Sequence, residues 1–310
     1  MIINQLFIFA VAIFLLIKGA TLATRYSSLL AQSYRLSTYV VGFMVVAIIS
    51  ILPETFIAIN SALRGVPEFG LSVLFGSNVA DLTLVFALII YLSRRNIKVE
   101  SKIIKNHATY PLILILPLIL GIDGHYSRLE GLALIVVGGI FYYIAFKNGG
   151  TNNEPLPIKN HKLKNFLFLL GSMVLLLVGS HFTVTSASAL ALTLGISPIL
   201  IGMLVVGLGT TMPELLFSLK SVKKGDDSLA IGDVLGTVLA DATLVVGIIS
   251  VVHPFDFPKR IVYFTGLLMV ISAFFLLRFM RSGRSLTKSE AELLVSLWMV
   301  FVFVEFLLNS

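Results

Sequence analysis

Residues 42–85 read GFMVVAIISILPETFIAINSALRGVPEFGLSVLFGSNVADLTLV, and residues 202–245 read GMLVVGLGTTMPELLFSLKSVKKGDDSLAIGDVLGTVLADATLV. The two stretches align without a gap, and Glu54 falls on Glu214, 160 residues further along the chain. They share a Pro-Glu pair, an aspartate and several glycines, within segments apolar enough to cross a bilayer. A carboxylate there costs roughly 2.5–3.5 kcal/mol to insert at a helix centre. The repeated acids therefore predict a cation site inside a membrane.

The composition indicates an integral membrane protein. The 310-residue chain is 57% hydrophobic and only 13% charged, with a mean hydropathy of +0.98. A soluble domain carries about 25% charged residues. The absence of cysteine excludes disulfides and thiolate metal sites. The net charge of +7 does not predict nucleic-acid binding, because the basic residues lie between apolar spans that contact the lipid bilayer.

Apolar spans of about 20 residues each can be placed along the whole chain. They lie at roughly 3–24, 38–62, 69–92, 108–121, 128–146, 165–194, 198–219, 229–252, 260–278 and 290–308. The repeat divides the chain into three parts: a five-helix unit at 1–146, a polar cytoplasmic linker at 147–164 and a second five-helix unit at 165–310. Because five is odd, the second unit is inverted. We predict an all-α membrane protein of ten transmembrane helices in two inverted five-helix repeats.

The lysines and arginines predict the orientation of these spans. With both termini outside, the outer side keeps only Arg64, Arg128, Lys259 and Arg260 of the 23 basic residues. The rest collect on the inner side, as the positive-inside rule requires. We expect a multi-pass protein of the cell membrane.

The Pro-Glu pairs predict oxygen ligands at membrane depth. A proline within a helix has no N–H and clashes with the carbonyl four residues earlier. Pro53 and Pro213 should therefore unwind their helices and free carbonyls beside Glu54 and Glu214. Irregular backbone within a membrane is tolerated where it lines a cavity.

A hydroxyl precedes each repeated carboxylate by four residues, which places the two on one helix face. The pairs are Ser50 with Glu54, Ser77 with Asp81, Thr210 with Glu214, and Thr237 with Asp241. Oxygen-only ligands suit Ca²⁺ and Na⁺, whereas soft and borderline metals favour Cys or His, which neither repeat contains. The alternative is a structural network of polar residues, with the acids as caps or paired groups. No Lys or Arg lies beside them to pair with, which favours a cation site.

Other polar residues give weaker signals. Asn78 is open between an ion ligand and helix packing. Asp233 is open between a helix-start role and ion entry, and His181 is interpreted as a hydrogen-bonded packing residue. Asn60 is interpreted as a solvated residue, and Glu305 as reaching the membrane interface. No HExxH, GxSxG or P-loop pattern occurs, so we predict neither an enzyme nor a cofactor.

At this point the chain resembles the sodium/calcium exchangers of the cation/calcium antiporter superfamily. Their two repeats carry G-T-S-x-P-E and then G-S-N-x-x-N/D. The second repeat here has GTTMPE at 209–214 and GTVLAD at 236–241, and the first has ISILPE at 49–54 and GSNVAD at 76–81. The resemblance covers essentially the whole chain.

The resemblance implies a core of the second, third, seventh and eighth helices, across which the first and sixth slide. Glu54 and Glu214 would bind Ca²⁺ or Na⁺ centrally, flanked by Asp81 and Asp241. The flanking Na⁺ ligands it implies are the carbonyls of Ala47 and Gly207, with Ser50, Ser77, Thr210, Thr211 and Thr237.

We therefore predict a monomeric antiporter that exchanges Na⁺ for Ca²⁺ by alternating access. The chain departs from the family at Ile49 and Ile51, where small residues are usual, and at Asp81, commonly Asn. These departures leave H⁺/Ca²⁺ exchange and K⁺-assisted exchange as alternatives. A cation channel and an intramembrane enzyme are alternatives from other classes, which the inverted repeats and the missing catalytic constellation disfavour.

Overall fold

The structure, a computed structural model, describes residues 2–32, 46–100, 109–149 and 162–309. The start of the second predicted span and most of the predicted linker at 147–164 lie outside these ranges. Eight of the described helices are long and apolar enough to cross a membrane, and two shorter apolar helices lie at Ala47–Leu63 and Tyr110–Leu120. The chain is a helical multi-pass membrane protein.

Ten labels, α1 to α10, are used below for the helical segments in chain order. They are α1 (Ile2–Gln32), α2 (Ala47–Ser50 and Leu52–Leu63), α3 (Pro67–Ala80, Asp81–Val85 and Phe86–Ser93), α4 (Tyr110–Leu120), α5 (Arg128–Gly149), α6 (Lys162–Leu194), α7 (Pro198–Ile201, Gly202–Val206, Gly207–Thr210 and Met212–Lys223), α8 (Asp227–Ala240, Asp241–Val245 and Val246–Val252), α9 (Ile261–Gly266 and Leu267–Gly283) and α10 (Lys288–Asn309). The segments of π-helix are Asp81–Val85, Gly202–Val206, Asp241–Val245 and Ile261–Gly266.

The predicted interruptions of α2 and α7 are present but small. Ile51 and Thr211 each separate two helical pieces, with ψ angles of −5° and −8°. The Ile51 carbonyl still accepts the Thr55 N–H at 2.8 Å, so the backbone is kinked and not unwound. The reason is that Pro53 and Pro213 lie in the first turn of the second piece, where a helix needs no N–H.

Two short antiparallel strand pairs join distant parts of the chain, which the all-α prediction did not include. β1 (Ile97–Lys98), after α3, pairs with β4 (Ser285–Leu286), between α9 and α10. β2 (His125–Tyr126), between α4 and α5, pairs with β3 (Phe255–Asp256), after α8. Strands of two residues are too short to produce an alternating sequence pattern.

The helices form a buried centre with an apolar exterior. In α3 and α8, 89% and 83% of the apolar window is buried, against 24% in α1 and 28% in α10. Large exposed side chains such as Phe7 and Leu192 cover the outer helices, as contact with lipid requires. At the centre, a Cβ on Gly76 would lie 2.6 Å from the Met203 Cα, so α3 and α7 cross backbone to backbone.

Candidate ion-binding site

The four predicted carboxylates lie near one another in the buried centre. Glu54 and Glu214 lie in the first turn after the kinks of α2 and α7. Asp81 and Asp241 begin the π-helical turns of α3 and α8, a distortion frequent at functional sites. All four are at most 1% exposed. Glu54 is close enough to repel each of the other three electrostatically, so the acids act as one cluster.

Many oxygen atoms of this cluster have no hydrogen-bond donor. Within the described part of the chain, the buried oxygens without a partner include Glu54 Oε2, Asp81 Oδ1, both carboxylate oxygens of Glu214 and of Asp241, Thr237 Oγ1 and Asn78 Oδ1. A buried polar atom left without a partner is costly, and buried charges are normally paired or bound to a metal ion. These hard oxygens can be satisfied by cations.

Three hydroxyl groups of the site lie within hydrogen-bonding distance of backbone carbonyls. Ser77 donates to Leu74 at 3.0 Å, and Thr211 donates to Leu208 at 3.0 Å. The Thr210 hydroxyl lies 3.0 Å from the Gly207 carbonyl and also within hydrogen-bonding reach of the Glu54 carboxylate. Each hydroxyl bonded in this way keeps a lone pair that can face a cation.

The two carbonyls named by the resemblance remain in helical hydrogen bonds. The Ala47 carbonyl accepts the Ile51 N–H, and the Gly207 carbonyl accepts the Thr211 N–H, both at 3.1 Å. Gly207 also accepts the Thr210 hydroxyl. Pro53 and Pro213 lack the N–H groups that would bond the carbonyls of Ile49 and Gly209, four residues earlier, so they do not affect the carbonyls of Ala47 and Gly207.

Within the ranges that the structure describes, no group of three or more Asp, Glu or His side chains is close enough to form a metal centre by itself. An ion at this site would therefore be held by carboxylates together with hydroxyl and amide oxygens. Such a mixed set of neutral and charged oxygens suits Na⁺ and Ca²⁺ better than a metal that needs nitrogen or sulfur ligands.

Sequence reasoning did not assign Asp233 to this site. Asp233 is fully buried inside α8, away from the helix start, and repels Asp81 and Glu214. It accepts hydrogen bonds from Ser50 Oγ at 3.3 Å and from Ser218 Oγ at 3.1 Å. The helix-start interpretation is therefore wrong. Its spacing of eight residues from Asp241, with Thr237 midway, is the signal that could have found it.

Three further polar residues differ from or refine the expectations. Glu305 is 2% exposed and accepts the Thr265 hydroxyl, so it does not reach the interface. Asn60 is not simply solvated, since it donates to Ser180 Oγ of α6 at 2.9 Å. His181 contacts Arg64 at 3.1 Å, but it is exposed, so the contact is confirmed and the packing role is not.

A cavity of about 490 Å³ opens between α1 and α7. Pro213, Phe217 and Ser221 line it from one face of α7, and Thr21 and Arg25 line it from α1. It therefore extends from the kink beside Glu214 to the end of α7.

At the corresponding place, α2 and α6 form a closed contact, in which side chains of the two helices are hydrogen-bonded. Asn60 of α2 and Arg64, the residue after α2, contact α6 through the two hydrogen bonds described above. They fall on Lys220 of α7 and on Lys224, the residue after α7. His181 falls on Thr21, across the cavity in the other half. Equivalent places in the two halves thus differ, with a cavity in one half and a side-chain contact in the other.

Known proteins are similar to this chain in sequence and in fold. The family described as "Sodium/calcium exchanger protein" matches residues 4–147 and again residues 164–307. An uncharacterized membrane protein of Methanocaldococcus jannaschii is 30% identical over 235 residues, covering 75% of this chain and 77% of that protein. The sodium/calcium exchanger MaX1 of Methanosarcina acetivorans is 23% identical over 339 residues, covering 94% and 95%. The solved structure of the sodium-calcium exchanger NCX_Mj, soaked with 2.5 mM Na⁺ and 0.1 mM Sr²⁺, superposes with a TM-score of 0.74 at 26% identity, over 97% of this chain and 98% of that one.

Proposed function

Because the chain belongs to the sodium/calcium exchanger family, we propose that it is a secondary active antiporter that exchanges Na⁺ for Ca²⁺ across the cell membrane. The family transports these ions and performs no catalysis. The observation that carries the proposal is the cluster of buried carboxylates whose oxygens lack donors among the described residues.

The chemistry of the cluster fits this cargo. Glu54 and Glu214 provide the central ligands, because they follow the two kinks and three of their four oxygens are without a partner in the described chain. Asp81 and Asp241 flank them. The proposed Na⁺ ligands are the hydroxyls of Ser50, Ser77, Thr210, Thr211 and Thr237, with the carbonyls of Ala47 and Gly207. With the buried Asp233, five carboxylates exceed the charge of one Ca²⁺ by three, which favours additional monovalent cations or protons at the same site.

Ten helices in two inverted repeats, 1–146 and 165–310, joined by the linker at 147–164, are the architecture that we propose. Three observations support it. The family matches twice, at 4–147 and 164–307. Helical irregularities recur 160 residues apart, at Ile51 and Thr211 and at Asp81 and Asp241. The strand pairs cross between the halves, as a two-fold axis in the membrane plane predicts. The proposed unit is a monomer with both termini outside.

Alternating access is the proposed transport mechanism. Its support is the difference between equivalent places, with a cavity between α1 and α7 and a closed contact between α2 and α6. An inverted repeat reaches its second state when the halves exchange conformations. The ions would then reach the same carboxylates from either side of the membrane.

Flux measurements test the proposal. Purified protein in proteoliposomes should accumulate ⁴⁵Ca²⁺ when an outward Na⁺ gradient is imposed. Glu54→Gln and Glu214→Gln should each abolish this uptake, because each removes a central charge. Glu305→Gln is the matched control, since it alters a buried acid outside the cluster and should retain uptake.

Two outcomes contradict parts of the proposal. Near-normal uptake by either central variant would remove that glutamate from the site. Uptake that does not depend on Na⁺ but follows a proton or K⁺ gradient would show that H⁺ or K⁺ is the coupling ion. Asp81 would then be the first residue to examine.

A further inference from the structure

The hydroxyl groups of Ser50 and Thr210 occupy equivalent positions, but they have different partners. Thr210 in α7 lies 3.0 Å from the Gly207 carbonyl of its own helix and within hydrogen-bonding reach of the Glu54 carboxylate. Ser50 in α2 instead donates to the Asp233 carboxylate of α8, with 3.3 Å between the oxygens. This contact joins a helix of the first half to a helix of the second.

The direction of that hydrogen matters for cation binding. A hydroxyl binds a cation through an oxygen lone pair, and its hydrogen must then point to an acceptor elsewhere. Groups that accept such hydrogens fix the orientation of metal ligands, and their loss typically lowers metal affinity 10–100-fold. Asp233 is placed to act in this way on Ser50.

Asp233 is itself held firmly. Its second oxygen accepts the Ser218 hydroxyl of α7 at 3.1 Å, so α2 and α7 both contact it. The ion pairs found within the described residues, Arg95 with Asp227 and His125 with Asp256, do not involve it. A buried carboxylate that is fixed by two hydroxyls can orient one of them while its charge favours nearby cations.

This arrangement occurs in only one half of the chain. The position equivalent to Asp233, 160 residues earlier, is Val73, which cannot accept a hydrogen bond. The ion site is therefore asymmetric, with an additional acid on the side of Ser50.

We propose that Asp233 is a positioning residue that orients the Ser50 hydroxyl toward a Na⁺ ion and thereby sets the Na⁺ affinity of one flanking site. The proposal rests on the proposed exchange function, in which Ser50 is a Na⁺ ligand. It assigns Asp233 no direct contact with Ca²⁺.

The test compares two substitutions of Asp233 in the flux assay. Asp233→Val reproduces the residue of the first half and removes the acceptor, so the Na⁺ concentration for half-maximal exchange should rise about tenfold or more. The corresponding Ca²⁺ concentration should change less than about threefold, because Ca²⁺ binds the central glutamates. Asp233→Asn retains a carbonyl acceptor for Ser50 and should restore most of the Na⁺ affinity.

A double-mutant cycle separates positioning from packing. Adding Ser50→Ala to Asp233→Val should raise the Na⁺ requirement no further, because the oriented group is already ineffective. Ser61→Ala is the control, since this buried serine of α2 donates only to the Ile57 carbonyl, at 2.7 Å, and its effect should be small.

An unchanged Na⁺ requirement in Asp233→Val, with wild-type protein still exchanging Na⁺ for Ca²⁺, would overturn the inference alone. An equal loss of apparent affinity for Na⁺ and for Ca²⁺, together with a lower melting temperature, would also overturn it, since that result indicates a purely structural role. Absence of Na⁺-dependent flux in the wild-type protein would instead refute the proposed function.

Discussion

Weakening the contact between α2 and α6 should open the side of the protein that is closed in the structure. Two side chains at the end of α2 form this contact: Asn60 donates to Ser180, and Arg64 contacts His181. Replacing both in Asn60→Ala/Arg64→Ala removes the polar contacts while leaving the carboxylate cluster intact.

The expected change follows from the two contacts. The part-buried bond from Asn60, at 2.9 Å, should contribute about 1 kcal/mol. The Arg64–His181 contact is exposed to solvent and should contribute only about 0.5 kcal/mol. Together they favour the closed contact by about 1.5 kcal/mol, so their loss should raise the population of the opened state about tenfold.

Cysteine labelling measures this population directly, because the natural chain contains no cysteine. Ser221 lines the cavity beside α7 and is 5% exposed, whereas its equivalent Ser61 is fully buried beneath the closed contact. In detergent, a maleimide should therefore modify Ser221→Cys, which the cavity reaches, faster than Ser61→Cys. In the Asn60→Ala/Arg64→Ala background, the Ser61→Cys rate should rise about tenfold.

The matched control replaces the equivalent side chains at the end of α7. Lys220 and Lys224 line the cavity, and the side-chain contacts described for this chain give them no bond to α1. Lys220→Ala/Lys224→Ala should leave the Ser61→Cys rate unchanged. Equal labelling of Ser61→Cys and Ser221→Cys in the otherwise natural chain would refute the reasoning, as would an unchanged Ser61→Cys rate in the α2 double variant.

Three shorter predictions concern packing, proton competition and orientation. Gly76→Ala should lower the melting temperature by several degrees, since overpacking costs about 1–3 kcal/mol. The control Gly139→Ala, whose Cβ would meet no atom within 4 Å, should leave the melting temperature unchanged. Acid should inhibit exchange because protons compete with cations for the clustered carboxylates. Asp81→Asn should flatten this pH profile while retaining Na⁺-driven Ca²⁺ flux. Loss of flux at every pH in this variant would instead make Asp81 an obligatory ligand. In intact cells, an impermeant thiol reagent should label Asp256→Cys, whose side chain is 91% exposed, and should spare Asn96→Cys; the reverse result would invert the proposed orientation.

The sequence was sufficient to predict that four acids lie in the buried centre, because acids are conspicuous in apolar membrane spans. Glu54 and Glu214 each interrupt an apolar span, and the 160-residue repeat shows that their positions are equivalent. The positions of the kinks were predictable for a similar reason, since proline removes a donor wherever it occurs. The extent of the kinks was not, because it depends on whether neighbouring turns keep their hydrogen bonds.

The missed features all depend on contacts between distant segments. Asp233 has no counterpart in the first half, so a search for repeated acids passes over it. Its role becomes visible only when Ser50 approaches from α2, 183 positions away. The contacts of Asn60 with Ser180 and of Glu305 with Thr265 likewise join separate helices. Periodicity within one helix carries no information about these partners.

Residues that differ between the two halves at equivalent positions also predict that the two access states differ in free energy. In the described state, Asn60 donates to Ser180 where α2 meets α6. If the halves exchanged conformations, the equivalent pair would be Lys220 and Ala20, and alanine offers no side-chain acceptor. A lysine brought against α1 would also lose hydration without gaining a partner, which costs free energy. The closed contact between α2 and α6 should therefore be the more stable one, and ion binding must supply the free energy to reach the other state.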